Sequence, residues 1–171
     1  QQDGIEELKP WDATYYSEKL KQQQFNLSQE ALKPYFPAPK VVQGLFQIVQ
    51  RLYGIQIVER QAPVWQDDVR YFEIEDQGQV VGGFYFDLYA RNGKRGGAWM
   101  SGFRSRVQTT NGLQKPICYM VCNFTPPIGN QPALLTHDEV ITLFHEFGHG
   151  LHHMLTEVDN ISVAGTHGVA W

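Results

Sequence analysis

Apolar residues after Pro39 recur every three or four positions, which is the spacing of an amphipathic α-helix. The stripe consists of Val42, Leu45, Phe46, Val49, Leu52 and Tyr53. Pro39 suits the first turn of this helix, and Gly54 is a natural residue to end it. Upstream, Asp12 can cap a helix through the run WDATYYSEKLKQQQ. We therefore predict that residues 10–60 are mainly helical.

From about residue 69 the apolar residues alternate with period two, which is typical of β-strands. The strand-like runs are VRYFEIED (69–76), VVGGFYFDLYA (80–90), GGAWMSGFRSR (96–106) and ICYMVCNF (117–124). The turn signals at Asp76–Gly78 and at Asn111-Gly112 suit connections between antiparallel neighbours. Residues 69–125 are therefore predicted to form a small, mainly antiparallel sheet.

A second helix signal follows a loop that contains three prolines. Thr136 and Glu139 form a T-x-x-E capping box, which predicts a helix from about residue 136 to 155. No repeat or linker divides the chain. We therefore predict a single α+β unit with N-terminal helices, a small sheet and this last helix.

Composition and charge exclude several classes of protein. The chain has 171 residues, of which 42% are hydrophobic, so it can bury a core. Its net charge of −4 and its lack of basic clusters argue against nucleic acid or an anionic membrane as a partner. No run approaches the ~20 apolar residues of a membrane helix. The start QQDGIEELKP resembles no signal peptide, and the absence of a starting Met suggests a piece of a longer chain.

The chain contains two cysteines, Cys118 and Cys122, which lie in one predicted strand. Their Cα atoms would be roughly 13 Å apart along that strand. A disulfide requires about 7 Å or less, so the two residues cannot pair there. We expect both to be small buried apolar residues in a reducing compartment.

The last predicted helix carries HEFGH at residues 145–149, an H-E-x-x-H motif. Residues four apart on a helix share a face, so His145 and His149 can bind one metal ion. Glu146 flanks the pair and is placed to act as a base on metal-bound water. Gly148 leaves room for another segment to approach. The competing interpretation is a core helix with an incidental motif.

Other histidines fit a shared zinc site less well. His152 lies ~10 Å farther along the axis than His145, which is too far to share the ion. The spacing also allows a His149/His153 pair, but no Glu would serve it as Glu146 serves the first pair. We expect His152 and His153 to be packing or supporting residues. His137 and His167 have no ligand-type spacing partner.

Five runs together resemble the M3 family of zinc peptidases, and in particular its oligopeptidase members. They are WDATYY (11–16), LKPYFPAPKVVQGLF (32–46), FYFDLYARNGKRGGAW (84–99), HEFGHGLHHMLT (145–156) and AGTHGVAW (164–171). The resemblance implies a zincin-like catalytic domain within a larger, mostly helical peptidase of the cytoplasm or of organelles. It implies one zinc ion per active site, and cleavage of short peptides in a deep channel.

By this resemblance, His145 and His149 are zinc ligands and Glu146 is the catalytic base. The third ligand of the family is a Glu in a stretch that follows the position matched by Trp171. Residues 1–171 would then be an incomplete part of one catalytic domain. We expect the isolated span to bind zinc weakly or not at all, to lack peptidase activity, and to self-associate through uncovered apolar faces.

Zincins bind an extended peptide along an edge strand near the metal helix. We expect one of the runs 97–106 and 117–124 to have this role, with Gly97 and Ala98 the first candidates. Gly96 and Gly97 could equally serve only to complete a turn. A peptidyl-dipeptidase of the same family and a non-enzymatic interaction domain are the alternative functions.

Overall fold

A computed structural model describes residues 9–25 and 28–169 of the chain, which form an α+β fold. The helices are α1 (Asp12–Phe25), α2 (Gln29–Leu32), α3 (Ala38–Tyr53) and α4 (His137–Met154), with a 3-10 turn at Lys33–Tyr35. The strands are β1 (Gln56–Arg60), β2 (Arg70–Asp76), β3 (Gln79–Tyr89), β4 (Trp99–Arg104), β5 (Val107–Thr109), β6 (Gly112–Gln114) and β7 (Ile117–Phe124). The expected mixed α+β class with a small sheet is confirmed. Trp171, which ends one of the family-like runs, lies outside the described residues.

Five strands form the main sheet in the order β1-β2-β3-β7-β4. The β3–β7 pair is parallel and the other pairs are antiparallel, so the sheet is mainly antiparallel as predicted. β5 and β6 form a separate hairpin whose two-residue turn is Thr110-Asn111, because Gly112 already pairs with Thr109. The order places β4 at an edge and β7 in the interior, between β3 and β4.

The structure corrects the predicted extent of the helical region. Gly54 adopts a left-handed φ of 73° and ends α3, as its position predicted. Residues Gln56–Arg60, which the prediction included in the helical region, form β1 instead. Arg60 at its end donates to Glu73 and Glu75 on β2, so cross-strand ion pairs favour the extended form.

The apolar stripe of α3 also ends earlier than predicted. Val42, Leu45 and Val49 are buried against the sheet. Leu52 and Tyr53 are 70% and 56% exposed. The last turn of α3 therefore adds little to the core.

Five phenylalanines hold the two long helices to one face of the sheet. They are Phe46 on α3, Phe72 on β2, Phe84 and Phe86 on β3, and Phe147 on α4, with ring centroids 5.0 to 6.1 Å apart. Cys118 and Cys122 lie free and buried in the same core, and burial raises the pKa of each thiol to about 12. No helix in the described part of the chain is long and apolar enough to cross a membrane.

The buried carboxylate of Asp87 organises the loop between β3 and β4. It accepts two hydrogen bonds from the Arg91 guanidinium, at 2.6 and 2.9 Å, and one from Lys94 Nζ at 2.8 Å. Trp65 Nε1 donates a further bond at 3.1 Å. Burial alone would raise the pKa of Asp87, but these three donors outweigh burial and hold the pKa below its usual value. The cluster therefore stabilises the loop while Asp87 is ionised.

We predict that Asp87→Asn lowers the free energy of unfolding by about 3 kcal/mol at pH 7, because Lys94 would stay buried without its counter-charge. The folded-state pKa of Asp87 lies below the unfolded one, so its contribution is full above the unfolded pKa. That contribution is lost as pH falls through the folded pKa. Denaturant unfolding at several pH values between pH 7 and about pH 3 measures the contribution of Asp87 to the free energy of unfolding. The difference between variant and wild type should shrink over this range. Asp76→Asn, at an exposed carboxylate, is the matched control.

Candidate active site

α4 begins with the capping box that the sequence predicted. The Thr136 hydroxyl accepts from the backbone N–H of Glu139 at 3.1 Å. The Glu139 carboxylate accepts from the backbone N–H of Thr136 at 2.8 Å. Gln29 Oε1 accepts from the backbone N–H of His137 at 2.9 Å. These bonds satisfy N–H groups that a helix start leaves without intrahelical partners, and they fix where α4 begins.

Burial of Phe147 sets the rotation of α4 about its own axis. Phe147 is 1% exposed and lies in the phenylalanine cluster. At about 100° per residue, His145 and His149 each lie about 200° from Phe147 in direction. Both histidines therefore face away from the sheet, which suits a site open to substrate.

A second glycine, not the one singled out in the sequence, allows the helix to approach the sheet. A Cβ at Gly150 would lie 2.9 Å from Met120 Sδ on β7, whereas one at Gly148 would meet nothing within 4 Å among the described residues. Gly150 therefore allows α4 to pack closely on β7, while the approach of another segment expected at Gly148 stays a prediction. Gly148 lines an open groove with Tyr53 and His152.

The imidazoles of His145 and His149 converge at their Nε2 atoms. These two nitrogens are 3.0 Å apart, and the ring planes lie at 89° to each other. Two nitrogen ligands of one tetrahedral zinc ion would be ~3.3 Å apart. Burial and the neighbouring His145 lower the pKa of His149, which favours the neutral imidazole that binds metals. The pair therefore fits two positions of a zinc site.

Glu146 lies beside this pair but points toward the sheet. It is 8% exposed, whereas His145 is exposed to solvent. Its charge adds to the effect of burial in raising the pKa of Cys122 on β7. Glu146 therefore lies on the buried side of α4, one residue from the exposed His145.

Two histidine ligands do not complete a metal site. Within residues 9–25 and 28–169, no group of three or more His, Cys, Asp or Glu side chains is arranged to hold a metal ion. Asp159 accepts from Arg106 at 2.6 Å, so it is already engaged elsewhere. His153 Nε2 bonds to the Arg104 carbonyl at 2.9 Å, so the alternative His149/His153 pair does not form. His152 is exposed on the helix.

The two runs predicted to bind substrate along a strand edge, 97–106 and 117–124, occupy different places in the sheet. β7 is paired on both sides, with β3 and with β4, and has no free edge. β4 is the last strand of the sheet and contacts α4. Gly97 and Ala98 lie just before β4, where Gly97 has a φ of 94°. The Gly97 carbonyl accepts from Asn123 Nδ2 at 2.7 Å and is therefore already engaged.

Sequence reasoning missed two residues that position this region, and it left the partner of a third unidentified. Asn123 binds the carbonyls of Arg95 and Gly97 and thereby fixes the approach to β4. Asp87 binds side chains of the loop between β3 and β4. A charged residue within the apolar run FYFDLY is the sequence feature that could have indicated this role. His153 was expected to be a packing or supporting residue, and the identity of its partner on β4 carried no sequence signal.

Comparison with known proteins identifies similar sequences along the whole chain. The profile described as "Peptidase family M3" matches residues 1–171. Oligopeptidase A of Escherichia coli strain K12 is 55% identical over 171 residues, which cover 98% of this chain and 25% of that protein. Organellar oligopeptidase A of Arabidopsis thaliana is 47% identical over 169 residues, covering 94% of this chain and 21% of that protein. The dipeptidyl carboxypeptidase of Escherichia coli strain K12 is 42% identical over 168 residues, covering 96% and 24%. The chain thus spans about a quarter of the length of these relatives.

Proposed function

The chain belongs to peptidase family M3, and from that membership and the geometry of α4 we propose that it carries the metal-binding helix of a zinc-dependent endopeptidase. The proposed substrates are short peptides cleaved at internal bonds. The observation that supports this most strongly is the convergence of His145 and His149 beside the buried Glu146. The names of the oligopeptidase A relatives support the substrate class.

Each of the three residues has a separate role in this proposal. His145 and His149 hold the zinc ion through their Nε2 atoms. Bound zinc supplies a Lewis acid that polarises a carbonyl and makes water more acidic. The Glu146 carboxylate takes the proton of the attacking water and later delivers it to the leaving amine. The burial of Glu146 limits competition from bulk water.

The third zinc ligand is proposed to be a Glu outside the described residues. Catalytic zinc sites ordinarily use three protein ligands and keep one position for water or substrate. The described part of the chain groups only two candidates. The resemblance to the M3 family supplies the expectation that an acidic residue from a neighbouring helix completes the set.

A peptide substrate is proposed to add to the free edge of β4. β4 lies at the edge of the sheet and contacts the helix that carries the histidine pair. The Gly97 carbonyl already accepts a hydrogen bond from Asn123. The backbone N–H of Gly97 and the backbone N–H and carbonyl of Ala98 are therefore the groups proposed to bind the peptide just before β4. A structure of the complete protein with a substrate analogue should show main-chain hydrogen bonds to residues 97–104. Their absence from the complex would remove β4 from the substrate site.

We predict that Glu146→Gln in the complete protein lowers kcat for a quenched peptide by about 10³-fold, because the proton acceptor is lost. Zinc content should stay at one per protein, since the histidine pair is unchanged. A peptide with an amidated C-terminus separates the two enzyme types, because a dipeptide-releasing enzyme needs the free carboxylate. Glu157→Gln, at an exposed residue beyond α4, is the matched control.

Three results of this experiment would count against the proposal. Cleavage of only the peptide with a free C-terminus would favour the peptidyl-dipeptidase alternative. Full activity of the Glu146 variant would exclude that carboxylate as the base. A complete protein without zinc and without turnover would favour the non-enzymatic interaction domain.

We further predict that the 171-residue span by itself binds zinc at least about 100-fold more weakly than the complete protein, because two neutral imidazoles replace a full ligand set. It should not hydrolyse the same peptide. Zinc titration followed by calorimetry measures the affinity, and size-exclusion chromatography tests the expected self-association. Tight, stoichiometric zinc that is lost in His149→Ala would show that a third ligand lies within the span.

The proposed location is the cytoplasm. Cys118 and Cys122 are free and buried, which suits a reducing compartment. One relative, 45% identical over 172 residues, is named a probable cytosolic oligopeptidase A. Fractionation of cells that express the tagged complete protein tests this location.

A further inference from the structure

The buried histidine at the end of α4 is not used by the proposed mechanism. His153 is 1% exposed, and its Nε2 atom lies 2.9 Å from the Arg104 carbonyl at the end of β4. A carbonyl can only accept a hydrogen bond, so the ring proton is on Nε2 and Nδ1 carries the lone pair. Nδ1 is buried and has no partner among the described residues. The ring therefore directs its Nε2 atom to the edge strand, and the backbone of Ile117 on β7 is a second hydrogen-bonding neighbour of the imidazole.

Two glycines, Gly102 and Gly165, make room for His153. A Cβ at Gly102 on β4 would lie 3.0 Å from His153 Cε1. A Cβ at Gly165 would lie 2.9 Å from His153 Cα, and Gly165 has a φ of 59°. A larger side chain at Gly165 would press on the backbone of α4, and one at Gly102 would crowd the imidazole itself. The imidazole is therefore built into the junction of the three elements.

β4 changes its register at the point where His153 binds it. Gly102 pairs with Cys118 and Arg104 with Ile117, so one extra residue, Phe103, is accommodated as a bulge. A bulge frees backbone groups from the ladder and bends the strand. The bond from His153 to the Arg104 carbonyl holds the strand just beyond this bend.

Each of the three residues after the bulge, 104–106, makes a hydrogen bond to α4 or to the segment that follows α4. Arg104 binds His153, Ser105 Oγ lies 2.9 Å from His167 Nε2, and Arg106 donates to Asp159 at 2.6 Å. The bonds of Ser105 and Arg106 are exposed to solvent, whereas the first is part-buried. A bond shielded from water is more directional and is lost less easily, so His153 makes the most persistent of these attachments.

We propose that His153 is a positioning residue that fixes β4, and the peptide along its free edge, relative to His145, Glu146 and His149. The proposal rests on the function proposed above and adds a residue to it. α4 carries the histidine pair and His153 within residues 145–153, which span about 12 Å of one rigid helix. A peptide paired with β4 is then held at a set distance from the metal site. A misplacement of about 1 Å can lower a rate about 100-fold.

The test uses three variants of His153 in the complete, zinc-loaded protein. Gln can place an amide N–H near the former Nε2 position, whereas Asn reaches only the Nδ1 position, and Leu has no donor. We expect His153→Gln to keep kcat for a peptide of about eight residues within a few-fold of wild type. Asn and Leu should lower that kcat at least about tenfold at unchanged zinc content. The Gln and Asn variants are a matched pair of amides that differ by one methylene.

Hydrogen exchange of residues 99–104 gives a readout that does not depend on activity. The Asn variant should exchange faster than the Gln variant in this strand, because the Arg104 carbonyl has lost its donor. Equal exchange in both variants, or wild-type kcat in folded, zinc-loaded His153→Leu, would overturn the positioning role. A wild-type protein that lacks Glu146-dependent hydrolysis would instead refute the proposed function, and the exchange comparison would still test the link between α4 and β4.

Discussion

The packing of one ring, Phe147, is the constraint on which the candidate site depends. It lies inside the H-E-x-x-H motif, and its side chain is buried among phenylalanines from α3 and β3. Fixing one residue of a helix fixes the direction of all the others. Losing a buried Phe typically costs about 3–5 kcal/mol, far more than any exposed contact of the histidines could recover by turning the helix. The core thus decides that His145 and His149 face outward.

The same helix connects the core, the outward-facing histidine pair and the sheet edge. Its first turn is fixed by Thr136 and Glu139, its middle by Phe147, and its last turn by His153. Each of these attachments uses a different interaction, namely capping, apolar packing and a buried hydrogen bond. A rigid helix held at three levels can present ligands at one side and orient a strand at the other.

The position of β4 follows from the parallel pairing of β3 and β7. Parallel neighbours need a long crossover, and here the crossover is the segment 90–116, which contains β4. The segment returns along the free side of β7, so β4 becomes the edge strand beside α4. Asp87 and Asn123 hold its entry, and the bonds of residues 104–106 hold its exit. The edge strand is therefore fixed at both of its ends.

The sequence alone determined the features that depend on local spacing. The capping box, the end of α3 at Gly54, the turns at residues 76–79 and 109–112, and the pairing of His145 with His149 all follow from separations of four residues or fewer. Tertiary structure decided which strand is the edge, that residues 56–60 join the sheet, and that Gly150 lets α4 pack closely on β7. It also decided the partner of His153, 49 residues away in sequence. Such contacts depend on which surfaces the whole fold brings together, and no local pattern encodes that choice.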